Sequence, residues 1–170
     1  MQTDTPLAAD FERLRSAGSS LTLLRIGADV LQIVSGGDRG PTRFDLPLGE
    51  LLLANGHFRH EPPSAAELEN AIMVVEDTLA PVREHLAADS RLMSTDPGIR
   101  HIARAAGLAG SAGEFLTRDA IENAFGQLCR IALGAPRPTG FPDGNDFAAR
   151  LLILREWTHH MDFDGITLAD

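Results

Sequence analysis

"LRIGADVLQIV", Leu24–Val34, sets the reading of everything around it. Two apolar segments rich in Leu, Ile and Val flank Ala28-Asp29, a gap with room only for a tight turn. That spacing predicts two antiparallel strands, 19–27 and 29–37. A third, "PTRFDLPLG" at 41–49, follows the glycine-rich turn "GGDRG" at 36–40. Together they form a meander.

Downstream the periodicity changes from two to between three and four. "ELLLANG" (50–56) is a short helix closed by Gly56. Ser64 and Glu67 form an S-x-x-E capping box. Behind it, Leu68, Ile72, Val75, Leu79, Val82 and Leu86 make one apolar stripe, with Pro81 set to kink or end the helix. "SRLMSTD" (90–96) is a short strand, and Asp96-Pro97 opens a helix that runs to Gly107. "LAGSAGEF" is a small-residue loop. Thr117 caps a helix with Ile121, Phe125, Leu128 and Ala132 on one face. After a Pro/Gly loop (134–145), the helix 146–160 is apolar on more than one side, and "GITLAD" (165–170) is a closing strand. Upstream, 10–16 is one short helical turn ended by Gly18. The expected fold is α/β: residues 1–18 are an N-terminal extension, and 19–170 are one domain with a mixed sheet and helices packed on it.

Composition narrows the function. The 170 residues suit one domain. The formal net charge of -9 argues against a general binder of nucleic acid or anionic membrane, both of which need a basic face. One cysteine, Cys129, excludes an intrachain disulfide. No apolar run is long enough to cross a bilayer, and the acidic, mixed N-terminus is not a signal peptide, so a cytoplasmic location is expected. All fifteen Lys+Arg residues are arginine, which excludes Schiff-base or Walker-type lysine chemistry.

Several blocks, in order, resemble the second, C-terminal half of the exopolyphosphatase / guanosine pentaphosphate phosphohydrolase (Ppx/GppA) family, within the actin-like ATPase superfold. "LRIGADVLQIVSGG" resembles its second phosphate hairpin, D-I-G-G-G-S-T-E-L-V. Leu46-Pro47-Leu48-Gly49, with Pro62-Pro63 and Glu67-Leu68, resembles its S-L-P-L-G strand and P-P-x-x-x-E-L helix. "LTRDAIENAFGQLCRIAL" and "RLLILREWTHHMDFDGITLAD" resemble its later helices and closing strand. The resemblance spans 19–170 and implies a single actin-like (ribonuclease H-like) half domain.

It also implies losses. The family's first domain, with one phosphate loop and the water-positioning glutamate, is expected upstream, where only eighteen residues precede the first strand. Arg25 stands where the family has an acid that works with a metal. Gly27 is kept, but Ala28 replaces a glycine, and Asp29 and Val30 stand where glycine and a hydroxyl residue are expected. "STDPGIRHIA" replaces a G-x-G-G-T turn, retaining Gly98.

The anion-binding candidates are therefore Arg25, Gly27 and Asp29 at the hairpin turn and Ser94, Thr95 and Gly98 at the later strand-to-helix junction, with Asp96 as a competing internal cap. His57, His60 and Glu61 form one group with zinc-type donors, and His159, His160, Asp162 and Asp164 another. Neither shows a full ligand set at customary spacing, and no resident metal or cofactor is expected. No catalytic residue is assigned, and Cys129 is expected to be a packed thiol. The resulting expectation is a degenerate phosphatase-like module. It would bind a partner chain, a second copy of itself or a phosphorylated small ligand. The alternatives are one half of a split phosphohydrolase using Mg²⁺, and an unrelated α/β scaffold.

Overall fold

The computed structural model describes residues 6–37 and 40–170; the predicted turn's Asp38 and Arg39 lie outside them. The chain runs α1 (Pro6–Leu14), β1 (Leu21–Ile26), β2 (Leu31–Gly37), β3 (Gly40–Leu46), α2 (Glu50–His57) and α3 (Ala65–Leu79). Then come a 3-10 turn (Ala80–His85), β4 (Arg91–Ser94), α4 (Pro97–Ala105), β5 (Phe115–Thr117), α5 (Arg118–Ala132), α6 (Asn145–His160) and β6 (Gly165–Leu168).

The six strands form one mixed sheet in the order β3-β2-β1-β4-β6-β5. The predicted meander is present: β1 pairs antiparallel with β2, from Leu21↔Gly36 to Ile26↔Leu31, and β2 pairs with β3. β4 joins β1 in parallel and β6 joins β4 in parallel. Parallel neighbours need crossovers, and the helices between them supply these.

Successive residues of a strand face opposite sides, and both sides of β1 are buried. Leu24 and Ile26, with Leu31 and Ile33 of β2, face the large core shared with α2 to α6. Leu21, Leu23 and Val34 face the other way, onto Leu7 and Phe11 of α1. Leu7 and Phe11 lie four apart and so share one helical face. α1 starts at Pro6, ahead of the predicted turn at 10–16, and lies in the segment expected as an extension. Its Asp10 carboxylate accepts a hydrogen bond from Thr95 Oγ1 at 3.0 Å.

α6 is the centre of the helical layer. Leu151, Leu152, Ile153, Leu154 and Trp157 are all fully buried. Each such side chain contributes about 1.5–3 kcal/mol relative to exposure. α2, α3, α4 and α5 all pack on this helix, which explains its many-sided apolar pattern.

Two local expectations need correction and one is met. Gly56 lies inside α2, which runs to His57 and is capped by Phe58, whose N–H donates to the Ala54 carbonyl. As expected of Pro81, α3 ends just ahead of it at Leu79, and the chain continues as the 3-10 turn, where Val82 is still buried. The end of the predicted loop "LAGSAGEF" enters β5, whose Phe115 and Leu116 pair antiparallel with Thr167 and Ile166 of β6.

Candidate functional site

The β1–β2 turn and the start of α4 meet at one edge of the sheet. Ser94, at the end of β4, is buried and donates its hydroxyl to the Leu24 carbonyl at 2.6 Å. Asp96 bridges the two loops. One carboxylate oxygen accepts the Ile26 N–H at 2.9 Å, and the other accepts the Gly98 N–H at 2.8 Å. Burial pushes the Asp96 carboxyl above its ordinary pKa, while the two N–H donors and the charge of Arg25 pull it back. An internal carboxylate thus fills the place at the helix start where an external anion would sit.

The turn itself is closed by a Gly27 N–H to Val30 carbonyl bond of 3.0 Å. Its carbonyls point at the start of α2. Gly27 accepts from Glu50 N–H at 3.0 Å, and Ala28 accepts from Leu51 and Leu52 N–H at 2.8 and 3.0 Å. α2 has no side-chain cap, so these carbonyls satisfy its first donors. The approach is close because residue 49 is glycine: a Cβ there would overlap the Ala28 carbonyl and the Asp29 nitrogen.

An ion pair closes the remaining space. Arg150 of α6 pairs with Glu50 at the first position of α2, both largely buried. The Arg150 guanidinium lies on Gly98, where a Cβ would displace it. Burial pulls the Arg150 pKa down from its ordinary value, and the side chain remains a cation at neutral pH. Sequence reasoning missed this pair. Its members are a hundred positions apart, and each taken alone reads as a helix-surface charge.

The structure therefore brings Gly27, Ser94 and Gly98 together, with Arg25, Ala28, Asp29 and Val30 exposed beside them. Thr95 faces away, toward Asp10. A divalent cation of the family kind does not fit this turn. Arg25 brings positive charge to the expected acid position, and both Asp96 oxygens are taken by backbone N–H groups. Beside the charged Arg25 and Asp29, the turn and the start of α2 also expose apolar side chains: Val30, Leu51 and Leu52 are 37%, 42% and 44% accessible. A pocket of about 630 Å³ lined by Ser20, Ser35, Gly36 and His85 lies at the open end of the β1–β2 ladder, far from this turn.

The two histidine groups divide. His60 Nδ1 lies 3.2 Å from Glu67 on the surface. Asp162 and Asp164 pair with Arg118, His159 approaches Glu122, and His160 meets Glu76 and Glu156. Cys129 is half-buried between α3 and α5, and burial pushes its thiol pKa up.

No protein-family model matches the sequence, and no curated protein matches it. Solved structures do. The Aquifex aeolicus PPX-GPPA enzyme superposes with a TM-score of 0.73 at 16% identity, over 93% of this chain and 55% of that one. An exopolyphosphatase-like protein gives 0.70 at 13% identity over 91% and 57%. An exopolyphosphatase from Cytophaga hutchinsonii gives 0.61 at 12% over 89% and 53%. This chain has about half of a Ppx/GppA fold. The chain thus has the α/β fold of these structures, as the sequence resemblance implies, and it spans about half of their length. Among the described residues, no helix is long and apolar enough to cross a membrane.

Proposed function

We propose that this chain is a non-catalytic, cytoplasmic relative of the C-terminal half of Ppx/GppA phosphatases. It acts as an interaction module for a second copy or a partner chain. The observation that carries this reading is the use of the turn's backbone groups. The hairpin carbonyls occupy the first N–H groups of α2, and Asp96 occupies the start of α4. Phosphoryl transfer rests on positioned donors and electrostatic stabilisation of the transferring group, and here the donors at the starts of α2 and α4 are committed internally. The exposed Val30, Leu51 and Leu52 give the same edge an apolar character suited to protein contact.

A second reading draws on the coverage. Because the chain spans about half of its structural neighbours, a separate chain could complete a split phosphohydrolase, and Mg²⁺ would then enter with that chain. One experiment separates the readings: mass-resolved chromatography, with thermal-shift titrations of polyphosphate, guanosine pentaphosphate, ATP and Mg²⁺ on the same sample. The interaction module gives no ligand-dependent shift, and a dimer mass that Leu51→Asp reduces to monomer. A shift following mass action that disappears in Arg25→Ala would overturn it and establish a phosphorylated-ligand site.

A further inference from the structure

At its C-terminal end, α6 carries Glu156 and His160 one turn apart, facing Glu76 of α3. His160 Nε2 lies 3.0 Å from Glu76 Oε1 and 3.2 Å from Glu156 Oε2, and the three atoms all fall within 4.8 Å of one another. Glu156 is fully buried, and its orientation is fixed from behind. Arg155 holds Oε1 at 2.5 Å and is itself held by Glu122 of α5 at 3.0 and 3.1 Å. Oε2 is left aimed at the imidazole.

A single ring nitrogen carries one hydrogen or one lone pair, so it cannot fully serve two carboxylates. A tetrahedral cation with bonds near 2.0–2.2 Å spaces its ligands about 3.3–3.5 Å apart, close to the separations found. Charge points the same way. Arg155 pairs with Glu122 and Glu156, and Glu76 meets the His160 ring, so three carboxylates share one guanidinium and a divalent cation would balance the group.

We propose that Glu76, Glu156 and His160 form a zinc site that ties α3 to the end of α6. One imidazole and two carboxylates are a donor set suited to zinc. Arg155 and Glu122 are the outer partners that orient Glu156. Glu76 and His160 keep 42% and 34% side-chain exposure, which gives the ion an entry path and a water-filled fourth position.

The test is calorimetric titration of Zn²⁺ into EDTA-treated protein, with the absorption spectrum of the Co²⁺ form as a second readout. The expected result is one Zn²⁺ per chain, a rise in Tm with zinc concentration, and a tetrahedral Co²⁺ band. Glu76→Gln and His160→Ala should each weaken binding about tenfold or more. Glu76→Gln is partly exposed and near-isosteric, so its metal-free Tm should stay close to that of the parent. The paired controls His57→Ala and His60→Ala should bind as the parent does. Absence of saturable binding, or binding that persists in His160→Ala or is lost in the controls, overturns the site.

Discussion

α2 and α3 begin only fifteen residues apart, yet their first turns are satisfied in opposite ways. α3 is capped from within its own sequence: Ser64 Oγ accepts the Glu67 N–H at 3.3 Å, and Glu67 accepts the Ser64 N–H at 2.8 Å. α2 has no such residue and is capped by carbonyls from the β1–β2 turn, more than twenty positions upstream. The first arrangement is local and replaceable. The second welds the β1–β2 turn onto a helix that would otherwise have open donors. A helix start that relies on distant backbone is a structural joint, and the joint determines what else the turn can do.

The sharpest way to break this contrast is Gly49→Ala. Its Cβ would meet backbone, which cannot swing aside, so the turn must leave α2. Overpacking of this kind costs about 3 kcal/mol, read as a lower urea midpoint at unchanged slope. Glu50→Ala comes next. It leaves Arg150 largely buried without its partner, and a loss of about 2 kcal/mol is expected in the same experiment. Ser64→Ala removes only a local cap and should cost about 1 kcal/mol. A near-equal effect of Gly49→Ala and Ser64→Ala would erase the distinction between the two helix starts.

The smallest effect sharpens the comparison through pH. The Ser64 N–H, helped by the Arg59 N–H and His60, holds Glu67 at about 2, below its ordinary 4.5, with burial opposing. A depressed carboxyl contributes stability that is complete above its unfolded value and is lost as pH falls toward the folded one. The parent should therefore lose more stability than Glu67→Gln between pH 4.5 and about 2, followed by thermal melts. Identical pH profiles would remove the box from the account of α3.

This contrast also marks what the sequence could disclose. The capping box, the Asp96-Pro97 helix start and the two-residue turn at Ala28-Asp29 are legible because each is written in neighbouring residues. The α/β class follows from the order of such local signals along the chain, and the hairpin resemblance from the match of Leu24–Val34 to a family motif. β5 was not legible: its three residues have strand geometry only because β6 lies beside them. α1 was under-read, since Leu7 and Phe11 gain their meaning from a sheet face formed by later strands. At the candidate site the sequence named the turn, Ser94 and Gly98, which the structure places at one edge, and Thr95, which faces away. The Arg150–Glu50 plug and the Glu76–His160 contact were not legible, because each joins residues at least eighty positions apart.

The burial of α6 on nearly every side has a consequence for synthesis. α2, α3, α4 and α5 all precede it in the chain, so the apolar surfaces they bury against it stay uncovered until it is made. Leu151 to Leu154 and Trp157 then arrive together as a plug. Nascent chains stalled before Asn145 should bind holdase chaperones and be readily cleaved by protease. Chains released after Asp170 should resist, because covering those surfaces waits for one helix delivered late.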